Sequence, residues 1–142
     1  MPAGRNQVDY TDIRRDAVTY KIDNVTIVFD QTKVGGSAAV GLAVTYSADD
    51  TVALAADGDH VAGKLEQVFA DGFCTVVDAG FVNLPAGAAA ATTRGNKIVG
   101  ALGPATAKGY IREVASATAA ELNKGRGRIV NAAVAAAVVV EL

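Results

Sequence analysis

The chain is 142 residues long, a length that suits one domain, or one domain with an arm, able to fold without covalent staples. It carries 13 basic and 15 acidic residues, a net charge of −2, so no overall field draws it to nucleic acid. One Cys and one His exclude a disulfide framework, a Cys-rich metal knuckle and a His-His metal site. Hydrophobic residues make up 51% of the chain, but 29 are Ala and 20 are Val, against 17 for Leu, Ile and Phe together. Such a core buries little area per residue, and burial is worth about 25 cal/mol per Å². Association with a further surface would offset that deficit. No run approaches about 18 apolar residues, so no transmembrane helix and no membrane partner are expected. The first residues, Met1 to Gln7, are polar and lack the apolar stretch of a signal peptide. The expected place of synthesis is therefore a reducing compartment, most simply a bacterial cytoplasm.

Residues 1–24 differ from the rest. Eight of them are charged, four of each sign, and apolar residues stand singly among them. This composition predicts an extended N-terminal arm over 1–24 and a β-rich domain over 25–142. Val8, Tyr10, Ile13, Arg14, Arg15 and Tyr20 are the candidate binding residues of that arm, since Tyr and Arg anchor interfaces.

From Val18 onward the apolar period becomes two. Val18, Tyr20 and Ile22, then Val25, Ile27 and Phe29, predict a hairpin turning at Asp23-Asn24. Gly35-Gly36-Ser37 breaks the chain. Val40 to Tyr46 and Thr51 to Leu54 read as strands joined at Ser47–Asp50. His60 to Phe69 reads as a strand ending at the Ala70-Asp71-Gly72 turn. Phe73 to Leu84 reads as another, with Gly80 as a bulge and Pro85 as its stop. Short strands are predicted at 97–102 and 110–114, a short helix at 117–124 closed by Gly125, and closing strands at 128–130 and 138–142. Turn signals recur roughly every ten residues, the mark of an all-β sandwich or barrel. The predicted fold class is mainly β: a single small sandwich or barrel-like antiparallel domain.

Chemistry-bearing motifs are sparse. His60 follows Asp57 and Asp59, a set able in principle to hold a proton or a metal. All three lie in an Ala-Ala-Asp-Gly-Asp-His turn, where Asp is favoured for its own backbone hydrogen bonds. Cys74 sits in an apolar run with no cation to lower its pKa. No serine lies in a G-x-S-x-G frame and no glycine run forms a phosphate loop. Lys124–Arg128 is the only basic run, and it reads as a solvated turn. No catalytic residue, metal ligand or cofactor is predicted, and the chain is not read as an enzyme.

Several stretches carry a resemblance. Gly41–Ser47 (GLAVTYS), Asp50–Asp59 (DTVALAADGD), Val61–Leu65 (VAGKL), Asp71–Val76 (DGFCTV), Asn96–Gly100 (NKIVG) and Gly109–Val114 (GYIREV) resemble the capsid decoration, or cement, proteins of tailed bacteriophages. The likeness spans somewhat more than half the chain and consists of turns and small residues rather than a catalytic signature. It implies a β-rich fold, frequent trimerisation, and binding of the major capsid protein on the exterior of an assembled capsid through a terminal arm. The alternative, a non-catalytic ligand- or carbohydrate-binding module, usually wants exposed aromatics, and here Trp is absent.

Overall fold

The computed structural model describes residues 15–87, 92–115, 119–131 and 137–142. Five strands come first: β1 (Asp16–Ile22), β2 (Ala43–Ala48), β3 (Thr51–Leu54), β4 (Gly63–Val68) and β5 (Phe73–Ala79). They close into a barrel in the order β1-β3-β2-β4-β5, with β5 returning to pair with β1. Five more strands follow: β6 (Phe81–Pro85), β7 (Ile98–Ala101), β8 (Tyr110–Glu113), β9 (Arg128–Asn131) and β10 (Ala137–Glu141). One short helix, α1 (Ala119–Lys124), precedes β9. Strands β6, β10 and β9 form one sheet, and β7 and β8 form a two-stranded ribbon. Single bridges from Ala86 to Ile111 and from Ile98 to Arg126 draw these two sheets into a second ring.

The fold is mainly β and barrel-like, as the turn spacing predicts. Among the named strands the pairing is antiparallel except where β1 runs parallel to β3 through the pairs Lys21–Thr51 and Ile22–Val52; the isolated Ala86–Ile111 bridge is parallel too. Two cores result. Ile22, Ile27, Val44, Val52, Leu65, Cys74 and Val76 fill the first barrel. Val61, Val77, Leu84, Ile98, Ile111, Ile129 and Val140 fill the space between its outer wall and the second ring. Neighbours divide between them: Val44 and Val76 point into the barrel, Ala43 and Val77 out of it. That is why Val76-Val77 reads as an unbroken apolar run rather than an alternation.

Three expectations need correction. The stretch 73–84 is not one bulged strand. Gly80, at φ +100°, turns the chain from β5 in the barrel to β6 in the second ring. A side-chain-bearing residue adopts that conformation only under strain, so glycine is what permits the corner.

The second correction concerns the hairpin after β1. Residues 23–29 form no strand. The Asp23 carboxylate accepts the N–H groups of Val25, Thr26 and Ile27 at 3.3, 3.0 and 2.9 Å, and the Thr26 hydroxyl at 2.7 Å. These local bonds compete with a ladder and win it at this position. The Thr26 hydroxyl in turn accepts the Leu54 N–H at 2.9 Å, and Ile27 drops fully buried into the barrel.

The third concerns the arm. Residues 16–22 of the segment assigned to it are barrel strand β1, registered against β5 from Asp16–Ala79 to Lys21–Phe73. Alternating charges and single apolar residues suit a strand with one wet face as well as they suit an arm. Residues 1–14 lie outside the described residues.

Candidate functional site

Of the six residues singled out for the arm, Val8, Tyr10, Ile13 and Arg14 lie outside the described residues. Arg15 stands at the entrance to β1, and its guanidinium pairs with the Glu66 carboxylate of β4. Tyr20 belongs to β1 itself.

Register explains where Tyr20 points. Val18, Tyr20 and Ile22 share one face of β1, and Ile22 reaches the barrel core. Tyr46 of β2 lies opposite Val52, on the inner face as well. The two tyrosines meet where the barrel wall opens. Their hydroxyl oxygens are 3.3 Å apart and their rings stand edge to face, 5.7 Å between centroids. The His60 ring stacks on Tyr46 at 6.1 Å. His60 Nδ1 lies 3.0 Å from the Lys124 carbonyl, which can only accept, so Nδ1 carries the proton. Tyr20, Tyr46, Ser47, Ala48 and Asp49 line a groove of about 520 Å³. The hydrogen bond to Tyr46, with partial burial, pushes the Tyr20 hydroxyl up to about 12, so it stays protonated far above neutral pH. The groove offers aromatic faces and hydroxyls for contact, and a tyrosine held neutral is no nucleophile.

The Asp57, Asp59 and His60 set does not converge. Asp59 accepts the Ala56 N–H at 2.9 Å, closing its own turn. Asp57 pairs with Nε of Arg112 at 3.0 Å, and His60 faces Tyr46 and Lys124. Among the described residues no group of three or more His, Cys, Asp and Glu is placed to hold a metal ion. Cys74 is buried in the barrel, and burial pushes its thiol up to about 11, which leaves little thiolate to react.

Two arginines matter more to the architecture than the sequence pattern conveys. Arg112 of β8 bonds both Asp57 and Glu121, tying α1 to the turn before β4. The bond from Arg112, with the Ala115 N–H beside it, holds Glu121 down to about 2. Arg126, part of the run read as a solvated turn, donates instead to the carbonyls of Val61, Ala62 and Asp78. Its planar fork binds several acceptors at once, which clamps β9 and the second ring to the barrel. No sequence signal separates Arg126 from its exposed neighbours, because its acceptors are backbone carbonyls distant along the chain.

At the end of the barrel where β1 runs out, exposed apolar side chains gather. Val25, Val28 and Val34 on the loop joining β1 to β2 are 80%, 53% and 94% exposed. Phe69 and Phe73, also exposed, flank the β4–β5 turn, where the Phe69 N–H donates to the Phe73 carbonyl at 2.8 Å. The loop and the turn touch: Gly36 packs against the Val68 carbonyl, and the Ile22 N–H donates to the Gly72 carbonyl at 3.0 Å.

No protein-family model, curated protein or solved structure matches this chain.

Proposed function

We propose that the chain is a structural virion protein that binds the outer surface of an assembled phage capsid and stabilises it without catalysis. One structural observation carries the reading: a loop fastened by local hydrogen bonds that presents apolar side chains to solvent. Asp23 fastens the loop through its backbone bonds, Thr26 ties it to β3, and Ile27 anchors it in the core, while Val25, Val28 and Val34 point outward. Exposed apolar side chains held on a fixed frame mark a docking surface, since covering them gains free energy at little cost in ordering. The resemblance of residues 41–114 to capsid decoration proteins supports the major capsid protein as the partner. Repetition over a lattice multiplies a modest contact through effective concentration. The same resemblance, with a core of Ala and Val, supports a homotrimer as the unit that docks.

Co-sedimentation of the full chain with assembled capsids tests this. The wild-type chain should pellet with capsids, and the double variant Val25→Asp, Val34→Asp should remain in the supernatant while melting like wild type. A wild-type chain that stays in the supernatant at every capsid concentration sinks the reading.

A further inference from the structure

The first barrel closes incompletely along one strand. On one side β1 pairs with β5 over Asp16–Lys21, but on the other it meets β3 only at Lys21 and Ile22. The hydrogen bonds show which groups face which side. The N–H groups of Lys21 and Asp23 donate across the β3 seam, to Asp50 at 2.8 Å and Val52 at 3.1 Å, whereas that of Ile22 turns to Gly72. Alternation along the strand therefore aims the N–H and C=O groups of Ala17 and Thr19 at the seam side, upstream of where β3 begins. Among the described residues nothing pairs with β1 there. Asp16, Ala17, Val18 and Thr19 are all exposed. An unpaired strand edge is a template for a further strand.

Beside this edge lies the tyrosine groove, and carboxylates bracket both. Asp16 stands at the upstream end of the edge and Asp49 at the groove, both exposed. Two cations of the same region bond elsewhere: Lys21 with Asp50 at 3.1 Å, and Arg126 with three backbone carbonyls. We propose that the β1 edge accepts an extended, basic peptide segment of another chain as an added strand. Its backbone pairs with Ala17 and Thr19. Its basic side chains lie on the face that Asp16, Val18 and Tyr20 share, with their alkyl stems over Tyr20 and Tyr46 and their charged ends toward Asp16 and Asp49. The inference stands on the strand edge and goes beyond the capsid reading, since any chain of this chemistry fits.

Amide hydrogen exchange on the full chain reads the edge directly. Without peptide, Ala17 and Thr19 should exchange faster than Val18 and Tyr20, whose amides face β5. A short synthetic peptide alternating Lys and Val should slow both by at least about tenfold, as a new backbone bond does. A matched peptide alternating Glu and Val should not. Asp49→Lys should weaken the Lys peptide, and Thr19→Pro should abolish its protection, because that N–H serves no internal bond. If Thr19→Pro fails to fold, Tyr46→Ala takes its place and should weaken binding. Protection of Ala17 and Thr19 in the free chain overturns the proposal, as does no protection with either peptide or equal protection with both. A neutral oligosaccharide that perturbs Tyr46 while the Lys peptide leaves the edge unprotected overturns it in favour of a glycan site. Peptide protection in a chain that never pellets with capsids would count against the capsid reading alone.

Discussion

Asp23 shows how one side chain redirects a backbone. Burial raises the pKa of a carboxyl, yet the bonds from Thr26, Ile27 and Val25 outweigh burial here and hold Asp23 below its ordinary value. Replacing it by Ala strands those donors and should cost about 1.5–3 kcal/mol, the range for bonds to a charged acceptor. Thermal melting of Asp23→Ala checks this, and capsid binding should weaken with it because the apolar loop loses its frame. Glu121 makes a prediction in pH. Its carboxyl titrates near 2 when folded, against an ordinary 4.5, so the unfolded chain takes up the proton first as pH falls. The stability it contributes is complete above about pH 4.5 and drains away between there and about pH 2. Melting temperature should decline over that window, and Glu121→Gln should flatten this part of the decline. An identical slope in the variant would remove Glu121 from the account.

Among elements, β1 deserves separation from what precedes it. Its register against β5 and the Arg15–Glu66 pair bind residues 15–21 into the barrel. Removing residues 1–14 should leave the β circular-dichroism signature and cooperative melting intact. Cutting to residue 17 takes away the Asp16–Ala79 and Ala17–Val77 pairs and should lower the melting temperature. If the shorter truncation alone abolishes capsid binding, residues 1–14 carry the affinity; if it changes nothing, the loop after β1 does. The contact between β7 and the first barrel offers another measure. Gly100 exchanges backbone bonds with the 58–59 turn, and a Cβ on it would collide with the Ala56 carbonyl. Backbone cannot swing aside as a side chain can, so Gly100→Ala should destabilise by about 1–3 kcal/mol or more. A variant that melts with wild type would show the two rings to be less closely docked.

At the scale of the molecule, two small cores share the walls β2 and β5, and neither contains a large aromatic side chain at its centre. Val and Ala cores gain less per residue than Leu and Phe cores, so association is a natural source of further stability. Light scattering should find a trimer at working concentration, with a melting temperature that rises with protein concentration. A monomer mass at every concentration would remove the oligomer from the proposed function.

The amino-acid sequence by itself determined that the chain is β-rich and where most strands lie. Those properties are local: turn residues and period-two alternation act over a few neighbours. It did not determine that Phe73 to Leu84 divides at Gly80, because a bulge and a change of sheet both want glycine. The alternation from Val18 to Ile22 marks a strand that β1 bears out, but it did not assign that strand to the barrel rather than the arm, because its partners lie more than fifty residues on, in β5. The Tyr20–Tyr46 groove and the Arg126 clamp were decided by the tertiary structure alone. Each joins residues remote in the chain, and only barrel closure, driven by burial of the two cores, brings them within bonding distance.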